Sequence, residues 1–176
     1  MAELGEQLTI WTVRLAVASY LVRIVVDVGF AGSDRRIRIS RWFWTAGCVL
    51  SVAHVVCAFA FFHEWSHRQA YAHTATQTRN VVGWDWGGGL YLNYLFTVVW
   101  IADVTAWWCR EEPSGASART VHTAVHVFLA FMVFNATVVF GPWFWKWIGA
   151  AVGLLLMLLL WHRRRRLETG KNSSRR

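Results

Sequence analysis

His63, Glu64 and His67 stand in the order H-E-x-x-H, and His73 follows six residues after the second histidine. On one continuous helix, His63 and His67 sit one turn apart on a common face. Two imidazoles so placed form a bidentate clip for zinc, with Glu64 beside them as a candidate general base. His73 would lie about 15 Å along the axis from His63 and reach the same ion only if the helix breaks. His63, His67 and His73 are therefore candidate metal ligands, and Glu64 is the candidate catalytic residue.

Further chemistry-bearing residues lie inside apolar runs. His54 falls near the middle of one run, and His122 and His126 share a face of another at i,i+4. Transmembrane haem is held by two imidazoles on facing helices, so His54 and His126 form a candidate haem b pair. Arg23, Asp27, Asp103 and His122 read as a buried polar network. Arg23 and Asp27 are spaced to pair at i,i+4, and Asp103 looks to Arg23 or a protonated histidine.

The stretch from His63 to His73 resembles the zinc-binding motif of the metzincin proteases, H-E-x-x-H-x-x-G-x-x-H, with His63, Glu64, His67 and His73 in register. The resemblance implies zinc hydrolysis with three histidine ligands, and it covers this short stretch alone. It departs at Ala70, where the motif has the glycine whose turn delivers the third histidine. With that turn missing, two imidazoles and water would make a weak, exchangeable zinc site.

These residues have to be positioned by membrane-spanning elements. Hydrophobic residues make up 56% of the 176-residue chain, and 13 residues are Trp. The apolar residues cluster in runs at 8–30, 42–62, 90–108, 121–140 and 143–161. About 20 apolar residues at helical rise cross a hydrocarbon core. A soluble bundle would need a charged face on each helix, and Trp147 to Trp161 has none. The fold class expected is all-α: a five-span transmembrane helical bundle forming one domain over 1–162. An outer His-rich loop covers 63–88, and residues 62–80, free of Pro and Gly, are expected to extend the second helix outward or along the surface. A basic, disordered cytoplasmic tail is expected over 163–176. The run at 8–30 carries Arg14, Arg23 and Asp27. The alternative reading lays it on the cytoplasmic surface and leaves four spans. No cleavable signal peptide, internal repeat or disulfide framework is expected.

The net charge of +8 is concentrated at 35–41 and in the tail from 163. Short basic loops mark the cytoplasmic side, which puts the N-terminus outside and the C-terminus in the cytoplasm of a bacterial inner membrane. The same concentration argues against nucleic acid as a partner and for anionic lipid headgroups at 35–41 and 163–166. Most Trp, Trp44 among them, fall near span ends and read as interfacial anchors. Gly141 and Pro142 predict a tight turn, with Gly141 free to take positive φ. The function expected is a non-catalytic accessory or interaction subunit of a membrane complex, binding metal weakly through the outer histidines and meeting a membrane-protein partner or a second copy of itself. The alternative is a metal- or haem-dependent membrane enzyme or electron carrier.

Overall fold

Residues 2–30, 34–109 and 116–173 are described in a computed structural model of the chain, and helix dominates them. The helices are α1 (Ala2–Gly29), α2 (Asp34–Phe61), α3 (His67–Val82), α4 (Gly89–Cys109), α5 (Ala116–Phe134) and α6 (Phe144–Ser173), with a π-helical segment at Asn135–Val139 between the last two. All but α3 contribute to stretches long and apolar enough to cross a membrane: Glu3–Gly29, Arg35–Phe61, Gly89–Cys109, Thr120–Val139, which runs from α5 through the π segment, and Phe144–His162. The protein is an all-α, multi-pass membrane bundle. Several span threonines turn back on their own helices, as in Thr9 to the Gly5 carbonyl at 2.8 Å and Thr105 to that of Ile101 at 2.8 Å. Hydrocarbon offers no other partner for such groups.

Helices α1 and α2 form the main antiparallel pair. The Thr9 carbonyl meets His54 Nδ1 at 2.9 Å near one end, and Ser40 donates to Asp27 at 2.6 Å near the other. Contact along this whole length makes α1 a spanning helix, against the reading that lays it on the surface. Val17, Tyr20, Trp44, Cys48, Trp100, Leu129 and Val133 form the core where α1, α2, α4 and α5 meet. Gly47 is required there. A Cβ at that position would lie 2.9 Å from the Trp100 ring and 3.3 Å from Ser19 Cβ, so only glycine lets the indole rest on the α2 backbone. Helix α6 is peripheral, and its spanning window contains no buried residue.

The odd number of spans gives the bundle two unlike ends. The loop end carries α3. The basic end carries the arginines of 35–41 and the exit of α6.

Several expectations change. The second helix does not run through 62–80: it stops at Phe61, and Glu64 and Trp65 take φ of 47° and 58°. Left-handed backbone at consecutive non-glycine residues reverses the chain before Ser66 caps α3 by accepting from Gln69 N at 3.3 Å. Trp44 is no interfacial anchor, since it is 0% exposed. Exposed Trp42, Trp84, Trp108 and Trp143 keep the anchoring role's surface position. Gly141 is not among the positive-φ residues. It is needed because a Cβ would lie 2.3 Å from the Thr137 carbonyl, where the π segment widens the helix. Helix α6 continues to Ser173, past residue 163 where the disordered tail was expected to start. Arg, Leu, Glu and Lys there are good helix formers continuing an existing helix, so no new nucleus is needed.

Candidate metal centre

The chemistry gathers at the basic end, with Asp103 and His126 half-buried and His122 exposed, so His122 does not belong to a buried network as expected. Asp103 is carried by α4, and His122 and His126 by α5 one turn apart. One ligand atom from each of the three lies within 4.8 Å of the other two. The imidazoles touch through their Nε2 atoms at 2.9 Å. Asp103 Oδ2 accepts a hydrogen bond from Trp44 Nε1 at 2.8 Å, which fixes the carboxylate and leaves its second oxygen for another partner. A carboxylate oriented by an outer donor is the usual support of a metal ligand.

Arg23 forms the floor. Its terminal nitrogens lie 3.4 Å from both Nδ1 and Nε2 of His126. The two ring nitrogens point apart, so one guanidinium can be equidistant from them only by lying over the ring face. Arg23 thus covers the face of His126, whose Nε2 also contacts His122. The guanidinium also sits 4.0 Å from the Trp44 ring centroid and 5.2 Å from that of Trp107. Its Nε lies 3.3 Å from Asp27 Oδ2, the i,i+4 pair legible in the sequence. That contact lacks hydrogen-bond geometry, and Nε has no other partner among the described residues.

The charge count follows. Asp27 lies 3.3 Å from the guanidinium of Arg23. Arg41 lies further out, against Trp107 and Trp108 at 5.7 and 5.0 Å. Among the described residues the Asp103 carboxylate has no ion-pair partner, and a metal cation there would supply one. Two imidazoles and one carboxylate suit zinc or another divalent transition metal. Ligand atoms about 3.4 Å apart would be wanted around such an ion, so a contraction of at most about 1.4 Å completes the site.

Not every sequence candidate arrives here. Asp103 does not pair directly with Arg23; Trp44 supplies its hydrogen bond. His54 binds the Thr9 carbonyl, whereas His126 stacks on Arg23. Thr9 and Arg23 are 14 residues apart on α1, or about 21 Å in depth. A haem iron would need both imidazoles within about 2 Å of itself, so His54 and His126 do not form a haem pair.

The outer motif is also divided. The reversal at Glu64 and Trp65 places the His63 ring 5.4 Å from that of His73, across the turn. His67, the first residue of α3, turns instead to the Tyr94 hydroxyl at 3.0 Å and that of Tyr91 at 3.5 Å. Glu64 is exposed at the tip of the turn. His73 Nε2 lies 2.8 Å from Gln77 Nε2. Burial pushes the His63 imidazole below its usual pKa, and the nearby His73 pushes it further. The two-ligand clip of His63 with His67 is thus replaced by a His63–His73 contact, because the helix that would have aligned the clip ends two residues before it.

Trp44 and Ser40 are the functional side chains missed in the sequence. Trp44 could be taken for a belt residue by its place near a span end. Its counting error is small: it lies ten residues into α2, deep enough to meet Asp103. Comparison with known proteins finds no matching family model, no matching curated protein and no matching solved structure.

Proposed function

We propose that the protein is a non-catalytic accessory subunit of a bacterial inner-membrane complex that holds one divalent transition-metal ion at Asp103, His122 and His126. The observation that carries this reading is the convergence of three ligand atoms within 4.8 Å, one of them from a carboxylate with no ion-pair partner among the described residues. The accessory role is supported by the distribution of the chain: most of it lies in spans, and α3 is the one separate helix outside them among the described residues. Under the charge rule the basic end faces the cytoplasm, with the C-terminus there and the N-terminus outside. Anionic lipid headgroups would then meet the arginines of 35–41 and 163–166. A second reading, a metal-dependent enzyme, is favoured by one feature. Three protein ligands leave a coordination position open for water or substrate.

Metal analysis of the detergent-purified protein tests the assignment. After incubation with zinc and desalting, one ion per chain is expected in the wild type. It should be lost in Asp103→Asn and in His126→Gln and kept in His63→Ala. Equal retention in all of these, or none in the wild type, overturns the reading. Loss in His63→Ala alone would move the metal to the loop end.

A further inference from the structure

A second feature lies toward the loop end from the histidine cluster, between α1, α2, α4 and the end of α5. It is a cavity of about 70 Å³ lined by Val13, Ala16, Val17, Ser51, Phe96, Trp100, Met132 and Val133, with Asn93 and Ala136 at its rim. Its walls are mostly apolar. Asn93 and Ala136 are exposed, so the cavity opens sideways between α4 and the π segment. Ala136 belongs to that segment, and such bulges in a helix frequently accompany functional sites.

Trp100 supplies the unexplained polar group. It is 2% exposed, and its indole N–H has no acceptor among the described residues. The Cζ2 edge of the ring rests on Gly47. Trp100 also lines the cavity, together with Ser51 of α2. Trp100 stands 11 residues beyond Gly89, about 16 Å along α4 and near mid-span. A donor left unsatisfied in hydrocarbon costs several kcal/mol, which is a strong demand for an acceptor.

We infer that the cavity receives a carbonyl oxygen carried into the bilayer core on an apolar molecule, with Trp100 Nε1 as its donor. The volume admits about two water-sized groups, enough for a carbonyl and the carbon that bears it. The rest of the molecule leaves through the gap at Ala136 and lies in lipid. Two sources share this chemistry: a tailed quinone and a phospholipid ester. Mid-span depth favours the quinone, because ester carbonyls are tied to the headgroup layer. The inference is independent of the metal centre.

The test uses full-length protein carrying isotope-labelled indole nitrogens, reconstituted in phospholipid vesicles and examined by solid-state NMR. One arm adds a decyl-tailed benzoquinone labelled at its carbonyl carbons. The other uses phospholipid labelled at its ester carbonyls. A nitrogen–carbon dipolar contact is expected in the quinone arm, absent from Trp100→Phe and reduced at least tenfold in Ala136→Leu, which narrows the opening and keeps the indole. The same pattern in the phospholipid arm would support the carbonyl site and assign it to the lipid. A contact that survives both substitutions overturns the inference. So does the lack of any contact in both arms, the outcome expected if water alone meets the N–H.

Discussion

The two histidine groups of this protein differ in what surrounds them. At the loop end, His63, His67 and His73 are close in sequence, and the chain reversal at Glu64 and Trp65 gives them separate partners. At the basic end, Asp103 lies far along the chain from His122 and His126, yet α4 and α5 bring the three together beside a buried guanidinium. Spacing along a chain defines a site only while one helix carries it. Once the helix ends, proximity belongs to whichever elements pack together. The loop-end histidines sit largely against aromatic rings and solvent, where no buried charge calls for a cation. The basic-end pair shares its space with two carboxylates and one arginine.

The largest expected effect breaks this contrast at the level of ion pairs. Arg23–Asp27 is largely enclosed, whereas Arg79–Asp85 at the loop end is exposed on both sides. Arg23→Gln leaves Asp27 without its guanidinium partner. It should cost about 3 kcal/mol, the low end for a broken buried pair because the Asp27 side chain is 34% exposed. Adding Asp27→Asn should recover much of that loss. Arg79→Gln should cost less than about 1 kcal/mol. Denaturant titration in mixed micelles measures all three, and equal costs at the two ends would erase the distinction.

A smaller effect sharpens it. Trp44→Phe keeps an aromatic ring over Arg23 and removes the N–H that holds Asp103. Zinc affinity should fall about 10–100-fold, the usual consequence of losing a group that orients a ligand. Tyr94→Phe, which removes the equivalent hydroxyl partner of His67, should leave it unchanged. Competition against a zinc-sensitive dye reads both variants.

The smallest effect is one of pH at the loop end. His63 has a depressed folded pKa, through burial first and then His73, so the folded chain binds fewer protons than the unfolded one below about 6.5. Stability of the turn is therefore present above that pH and is lost as pH falls toward the lower folded value. Amide protection in Trp65 to Ala70, taken relative to the intrinsic exchange rate, should fall as pH drops below about 6.5. His63→Gln should flatten that dependence. An acid response unaltered by this substitution would place the titrating group elsewhere.

The spans were legible in the linear chain because each needs only about 20 apolar residues and a helix that satisfies its own backbone. The Arg23–Asp27 pair was legible for a similar reason, since both residues ride one helix four positions apart. Local rules also recognise the breaks that use proline or glycine, as at Gly141 and Pro142. They missed the reversal at Glu64 and Trp65, where ordinary residues hold left-handed backbone and packing must offset the strain. They missed the role of Trp44 as well, because an indole near a span end has the same composition signal whether it faces lipid or core. Helix rotation and depth decide between those two, and both are set by the neighbours. Gly47 admits Trp100, Trp100 packs on Trp44 at 4.8 Å between ring centroids, and Trp44 in turn holds Asp103 within reach of His122 and His126. Each step of that chain joins residues on different helices, so only the packed bundle decides which of the seven histidines in the sequence share a charge.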